Sequence, residues 1–180
     1  MLGIAGSVTN SCDITHKLVS NQGSVFFDGT NDFVNASSVA SDISLTAGSI
    51  SLWARITVTS GNESFFNVSD GASGANKLVI MYDTSSGVFK ANYKAANSSQ
   101  QAQYSVSNSD VVANGWFHIV MTYDTTANEV KLYHNGSLVT TRSSSLTAID
   151  GSSVTFDRVR LGKSANADNT YHQGLSLIHI

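Results

Sequence analysis

The feature that most limits the fold of this sequence is a series of short strand-like runs from Ser24 onward. Runs of β-branched, aromatic and aliphatic residues alternate with clusters of Gly, Asn, Asp and Ser, which is typical of β-strands and their turns. The runs are Val25 to Val34, Ile50 to Thr57, Ser64 to Val68, Lys77 to Tyr82, Val88 to Lys94, Gln103 to Val106, Trp116 to Tyr123, Val130 to Thr141 and Val154 to Leu161. No amphipathic helix is evident between them. The pattern predicts an all-β antiparallel sandwich or barrel.

Three of these runs carry the clearest local signals. From Ile50 to Thr57, apolar residues alternate with Ser51, Trp53 and Arg55, which indicates a half-buried strand. Asn135-Gly136 lies between two strand-like segments and supplies the positive φ angles of a tight hairpin. The Trp116 to Tyr123 run is apolar on both faces, which predicts a strand in the middle of a sheet.

Length and charge restrict the class of protein further. A chain of 180 residues is long enough for one domain with a real core. With a net charge of −3 and scattered basic residues, it lacks the electrostatic pattern of a nucleic-acid binder. The single Cys12 cannot form an internal disulfide. The opening residues do not match a secretory signal, and no segment has the length of a membrane span. Neither nucleic acid nor membrane is therefore expected as a partner.

Three stretches together resemble the laminin G-like jelly-roll domains of the concanavalin A-like lectin/glucanase superfamily. They are SVFFDGTNDFV from Ser24, ISLWARI from Ile50, and WFHIVMTYDTTANEVKLYHNGSLV from Trp116. Val159 to Ser164 and the aromatic-x-Gly of Tyr171 to Gly174 extend the resemblance to about residues 24–174. It implies a two-sheet antiparallel jelly-roll sandwich over residues 23–175, preceded by a leader over 1–22.

Catalysis is not expected. Hydrolases on this fold place carboxylates on one strand as Glu-x-Asp-x-x-Glu, whereas the only glutamates here, Glu63 and Glu129, are isolated. The five histidines form no pair at metal-ligand spacing with another His or Cys. We therefore predict no catalytic residues and a protein that is not an enzyme.

Asp28, Asn31 and Asp32 cluster around a glycine, a composition suited to a structural calcium ion. The alternative is a turn in which these side chains bond their own backbone. Some relatives in the superfamily hold calcium between this segment and an acidic residue of the closing strand. The present chain differs from them because no Asp or Glu follows Gly174.

Sugar recognition usually combines an aromatic ring with polar side chains that bond hydroxyls. Trp53 and Arg55 share the non-core face of their strand, so both are candidates. Further candidates are Tyr82, Asn92, Tyr93 and Gln103. The alternative for the first pair is a Trp53 packed under a loop and a solvated Arg55.

The leading hypothesis is a non-catalytic carbohydrate-binding or adhesion module of an extracellular or virion surface protein, with a glycan or cell-surface polysaccharide as its partner. A second is a structural assembly domain of a phage virion or tail, which would contact other virion subunits. The absent signal peptide and a leader resembling those of phage structural proteins favour a viral setting. A third is a glycoside hydrolase, because the fold hosts such enzymes.

The last residues depart from the family pattern. Where the family has a closing strand with acidic residues, the chain reads Leu-Ser-Leu-Ile-His-Ile from Leu175 and stops. This stretch also resembles translated sequencing-adapter read-through. We therefore expect residues 176–180 to be a non-native or truncated tail, which would expose a strand edge and favour association.

Overall fold

The computed structural model describes residues 24–59, 61–71, 76–95, 98–143, 155–164 and 171–179. Twelve strands occupy most of these residues: β1 Val25–Asp28, β2 Val34–Asn35, β3 Ala47–Ile56, β4 Glu63–Ser69, β5 Lys77–Asp83, β6 Val88–Ala95, β7 Ser98–Ser105, β8 Phe117–Asp124, β9 Glu129–His134, β10 Ser137–Ser143, β11 Arg158–Leu161 and β12 Gln173–His179. A 3-10 helix covers Ser37–Asp42 and helix α1 covers Asn108–Ala113. Within the described residues, neither helix could cross a membrane.

The strands form two antiparallel sheets of six. Sheet 1 has the order β1-β12-β3-β8-β9-β10, and sheet 2 has the order β2-β11-β4-β5-β6-β7. Neighbours along both sheets are often distant in sequence, as expected of a jelly roll. The predicted two-sheet antiparallel sandwich is confirmed.

The core lies between the two sheets and is built by alternate residues of each strand. Ile50, Leu52, Ala54 and Ile56 of β3 are buried, as the alternation predicted. From β8 the buried residues are Phe117, Ile119, Met121 and Tyr123. Strand β8 pairs with β3 on one side and β9 on the other, so its predicted place inside a sheet is also confirmed.

The hairpin predicted at Asn135-Gly136 joins β9 to β10. Both residues have positive φ, 50° and 81°, which is the conformation that a tight two-residue turn needs. Asn135 also exchanges hydrogen bonds with β8: its N donates to the His118 carbonyl at 2.8 Å, and its Oδ1 accepts from His118 N at 2.8 Å. The turn residue thus tethers the hairpin to a third strand.

Local signals located some elements wrongly. The Val25 to Val34 run is two strands in different sheets, because a turn around Gly29 (φ 81°) redirects the chain. Helix α1 was not anticipated, although Ser107 caps it by accepting from Asp110 N at 3.2 Å. Strand β12 continues past residue 175 to His179, paired with β3. Whether residues 176–180 are native stays a prediction, and the leader over 1–22 lies outside the described residues.

Candidate functional site

Residues that alternate with the core positions form two outward surfaces, which we call face 1 on sheet 1 and face 2 on sheet 2. The sequence candidates for sugar contact divide between these surfaces and the core. Trp53 and Arg55 lie on face 1, whereas Asn92 and Gln103 lie on face 2. The predicted residues therefore do not form one site.

Tyr82 and Tyr93 are core residues, which corrects their assignment as sugar-contact candidates. Their exposed fractions are 0% and 1%, so neither ring can stack on a ligand. The Tyr82 hydroxyl donates to the Val106 carbonyl at 2.7 Å, and the Tyr93 hydroxyl donates to the Leu45 carbonyl at 3.1 Å. The reason is strand alternation: Tyr93 shares the inward side of β6 with Phe89, while Asn92 points outward.

Face 1 carries exposed apolar rings. The Trp53 side chain is 41% exposed and stacks on His118 of β8, with ring centroids 5.0 Å apart. His118 Nε2 is in turn 2.8 Å from Ser51 Oγ, which fixes the imidazole beneath the indole. Phe26 and Leu138 are also exposed on this face. Trp53 is therefore half-buried against a neighbouring strand, and Ser51 and Arg55 flank it on the outward side of β3.

Face 2 is polar, and its central side chains are recessed. One row crosses five strands in direct register: Arg160, Asn67, Val79, Asn92 and Gln101. Although they point away from the core, Asn67 is 2% exposed and Asn92 is 8% exposed. Such burial on an outward surface means that other parts of the protein cover these two side chains.

Two buried oxygens on the face 2 side of β4 have no hydrogen-bond partner among the described residues. They are Ser64 Oγ and Asn67 Oδ1, both buried on β4. Buried polar groups are nearly always bonded, and orphaned ones mark sites where another polar group is expected. The side chain of Asn92 is held in place by a hydrogen bond, because its Oδ1 accepts from Ser99 Oγ at 2.7 Å.

Face 2 also concentrates the positive charge of the chain. It carries five of the ten Lys and Arg residues: Lys77, Lys90, Lys94, Arg158 and Arg160. Lys90 Nζ lies 2.6 Å from Asp83 Oδ2, and this contact, with the Ser85 hydrogen bonds, holds the pKa of Asp83 well below its ordinary value. Because the whole chain has a net charge of −3, this clustering sets face 2 apart.

Each lateral edge of face 2 has a further feature. At the β7 edge, a pocket of about 610 Å³ opens between β7 and β10. Its lining is polar: Ser99, Gln101, Gln103, Thr140, Thr141 and Arg142. At the opposite edge, the Phe33 ring is 40% exposed, with Arg160 Cζ 5.4 Å and Lys163 Nζ 5.0 Å from its centroid.

The sequence analysis did not identify most of these face 2 residues as candidates for ligand contact. One usable signal was the alternation Arg158-Val159-Arg160-Leu161, which places two arginines on the same side of a short strand. No local signal connects Asn67, Arg142 and Phe33, which strand order alone places on face 2 or at its edges.

The two glutamates do not face one site. Glu63 is buried, and its Oε2 lies 2.8 Å from His172 Nδ1 and accepts from Gln173 N at 2.7 Å. Glu129 lies on β9 of the other sheet, 2.6 Å from Lys131 Nζ. Both carboxylates thus serve structural contacts on different sheets.

Asp28, Asn31 and Asp32 lie together in the turn after β1. Asp28 Oδ1 accepts from Thr30 N at 2.7 Å and from Asn31 N at 3.3 Å, while Asp32 Oδ2 accepts from Asp28 N at 3.2 Å. The hydrogen bonds from Thr30 N and Asn31 N lower the pKa of Asp28. They match the alternative interpretation of the sequence, in which these side chains bond the backbone of their own turn. Calcium binding stays a prediction, which melting curves with calcium and with a chelator test.

A family model of the concanavalin A-like lectin/glucanases superfamily, of the laminin G type, matches residues 28–175. The chain belongs to this superfamily. None of the curated proteins compared with it matches significantly in sequence. Among solved structures, the CBM40 of the Ruminococcus gnavus IT-sialidase, bound to α2,3 sialyllactose, superposes with a TM-score of 0.68 at 15% identity, covering 87% of this chain and 89% of that one.

Two longer proteins contain the same fold. The leech intramolecular trans-sialidase matches with a TM-score of 0.64 and 15% identity over 86% of this chain, which spans 24% of that chain. Mouse laminin α1 domains LG4-5 match with a TM-score of 0.59 and 12% identity over 88% of this chain, which spans 40% of theirs. At these identities the likeness establishes the superfamily fold.

Proposed function

We propose that this member of the superfamily is a non-catalytic carbohydrate-binding module that holds a glycan on face 2. The observation that carries the proposal is the concentration of amide and cationic side chains on face 2, beside the polar pocket between β7 and β10. Amides can donate to and accept from sugar hydroxyls, and Lys and Arg favour acidic sugars. The sialyllactose bound to the Ruminococcus gnavus CBM40 supports a glycan as the ligand class.

A glycan array followed by calorimetry on the hits tests this function. The array contains neutral, sialylated and uronate-containing glycans. We expect binding, and we expect Arg160→Gln to weaken it about tenfold or more, which corresponds to roughly 1.4 kcal/mol and is typical of a charge-assisted hydrogen bond.

Arg55→Gln is the matched control, because it removes the same charge from face 1. Together with Trp53→Ala, it should leave affinity unchanged in a protein that still melts cooperatively. Binding lost in the face 1 variants and retained in Arg160→Gln would refute the placement on face 2. Turnover of any bound glycan would refute the non-catalytic role.

A second candidate function is assembly with other protein subunits through face 1, favoured by the exposed side chains of Phe26, Trp53 and Leu138. Phe26 and Leu138 lie on the two edge strands of sheet 1 with Trp53 between them, so a partner that covered the whole of face 1 would contact all three. A chain that elutes as a multimer, and becomes monomeric on Trp53→Ser substitution, would support this candidate. Under either function we place the module at an extracellular or virion surface.

A further inference from the structure

We infer that His134 is a pH-sensitive switch: its neutral imidazole holds β7 against the β9–β10 hairpin, and its protonation in mild acid releases the ring and widens the polar pocket between β7 and β10. The pocket lies beside face 2, so the effect on ligand binding rests on the proposed function. The movement of the ring does not, and it can be tested without a ligand.

The pocket lies along a seam, by which we mean the contact of β7 with the β9–β10 hairpin. β7 and β10 are edge strands of different sheets, so no ladder of backbone hydrogen bonds joins them in the parts of the chain that the structure describes. Side chains cross the seam at two places. Arg142 Nε donates to Gln100 Oε1 at 3.1 Å, and the His134 and Tyr104 ring centroids lie 5.3 Å apart. Gln100 and Tyr104 are separated by roughly 13 Å along β7.

The His134 ring packs between the two sheets. It belongs to the last residue of β9, and its centroid lies 5.5 Å from that of Phe89, 5.3 Å from that of Tyr104 and 6.2 Å from that of Phe117. Phe89 and Tyr104 are directly opposite each other on β6 and β7. The imidazole from sheet 1 therefore rests on an aromatic pair of sheet 2. Among the described residues, neither of its nitrogens has a hydrogen-bond partner.

The surroundings of this ring offer nothing to balance a positive charge. Tyr104 is the titratable side chain in contact with it, while Tyr93 and Tyr123 contact each other farther along the strands. Arg142 lies opposite Val130, at the other end of β9. The charged and remaining titratable side chains of β6, β8 and β9 alternate outward: Lys90, Lys94, His118, Asp124, Glu129, Lys131 and Tyr133. A proton on His134 would thus place a charge among aromatic rings.

Burial accordingly lowers the pKa of His134 below its ordinary value. A histidine side chain in water takes up its proton near pH 6.5, before the ring in the cluster does. The closed seam is therefore most stable above that pH and is weakened as the pH falls below it. His134 is only partly buried and directly precedes the turn at Asn135-Gly136, so the charged ring has a short path to water.

Loss of the ring contact should change the pocket, because its two walls belong to opposite sides of the seam. One wall is formed by β7 and the other by β10: Ser99, Gln101 and Gln103 face Thr140, Thr141 and Arg142. The hydrogen bond between Arg142 and Gln100 would remain, but one exposed hydrogen bond contributes little. The walls would then no longer be held at one distance. A ligand that binds the closed pocket should dissociate in mild acid.

NMR spectra of the wild-type protein from about pH 8 to about pH 4.5 test the switch without a ligand. The shifts of the His134 ring protons give its titration midpoint, and nuclear Overhauser contacts with Phe89 and Tyr104 report whether the ring is in the cluster. We expect these contacts above the midpoint and their loss below it. The side-chain amide of Gln100 should shift at the same midpoint. Because aromatic faces attract cations, the protonated ring has an alternative, and contacts that persist below the midpoint would overturn the switch.

A pair of variants assigns the response to this residue. His134→Phe keeps an aromatic ring in the cluster and removes the site of protonation, so its Gln100 and Tyr104 signals should not change over the same pH range. His118→Gln is the matched control, because it removes a titratable ring from the outward side of the neighbouring strand β8. It should keep the wild-type response. A response that survives in His134→Phe would contradict the assignment.

Calorimetry then relates the switch to binding, with any glycan that the array identifies. Affinity is measured at about pH 7.5 and at one pH unit below the His134 midpoint, where roughly a tenth of the molecules keep the neutral ring. Wild-type affinity should fall about tenfold, and that of His134→Phe by less than about twofold. An equal fall in both proteins would overturn the regulation while the proposed function stands. If no glycan binds and the ring still leaves the cluster in acid, the proposed function fails and the switch stands.

Discussion

Gly174 of β12 pairs with Ile56 of β3, and the backbone there leaves no room for a side chain. A Cβ at this position would lie 1.9 Å from the Arg55 carbonyl oxygen, and the residue has φ 153°. Directly before it, His172 and Gln173 make the contacts with Glu63. The aromatic-x-Gly motif therefore has a physical reason: the glycine lets β12 lie against β3 while the preceding residues bind the opposite sheet.

We predict that Gly174→Ala destabilises the protein by about 4 kcal/mol or prevents folding, because the clash is with backbone that cannot move without breaking the β12–β3 ladder. Urea unfolding measures the loss. Gly61→Ala is the control, since Gly61 also has positive φ (117°) but its Cβ would meet nothing within 4 Å. That variant should lose only about 1 kcal/mol. Equal losses in the two variants would show that φ, not the clash, controls stability.

At the scale of elements, the β5–β6 hairpin is closed by Asp83. Its Oδ1 accepts from Ser85 N at 3.0 Å and from Ser85 Oγ at 2.6 Å, and its Oδ2 accepts from Lys90 Nζ at 2.6 Å. One carboxylate thus organises the turn and joins it to the next strand. These contacts favour the charged form, which is why the pKa of Asp83 is lowered.

This shift predicts a defined pH dependence for the stability of the hairpin. A carboxyl whose pKa is lower in the folded state stabilises the fold above its unfolded pKa of about 3.9, and the stabilisation is lost as pH falls below that value. The stability difference between wild type and Asp83→Asn should therefore be constant from pH 7 to pH 5 and shrink below pH 4. Chemical unfolding across this range measures it, and Lys90→Met should weaken the dependence. A difference that does not vary with pH would contradict the role of Asp83.

At the scale of the whole molecule, the buried Glu63 and His172 join the two sheets. Glu63 belongs to β4 of sheet 2, and His172 directly precedes β12 of sheet 1. The His172 ring packs against the rings of Phe27 and Phe65, whose centroids lie 5.7 Å and 5.0 Å from its own. A polar link inside an apolar core fixes the relative position of the sheets, and face 2 depends on that position for its shape.

We predict that removing either partner alone is more damaging than removing both. Glu63→Leu and His172→Phe should each cost about 3–5 kcal/mol, because each leaves a buried polar group unpaired. The double variant should recover part of that loss, since an apolar pair of similar volume needs no partner. Urea unfolding of the three variants gives the coupling energy, and strictly additive losses would contradict a mutual contact.

The features that follow from the sequence alone are local. The strands follow from period-two alternation, and the hairpin follows from the positive φ angles that Asn135 and Gly136 readily adopt. Both properties depend on neighbouring residues only, so the sequence predicts them directly. The superfamily was also recognisable, because its motifs are continuous stretches. The sequence also shows directly that the isolated Glu63 and Glu129 do not match the Glu-x-Asp-x-x-Glu pattern of hydrolases on this fold.

The grouping of residues into a candidate site depends instead on tertiary structure. Asn67 and Arg160 are neighbours because β11 returns beside β4, and Glu63 meets His172 across 109 residues for the same kind of reason. Alternation within β6 already sets Asn92, which shares a face with Lys90 and Lys94, apart from Tyr93, which shares the apolar face with Phe89. Which strands become neighbours, and hence which outward side chains share a face, depends on the packing of one sheet on the other, because the apolar area buried between the sheets is known only when both are in place.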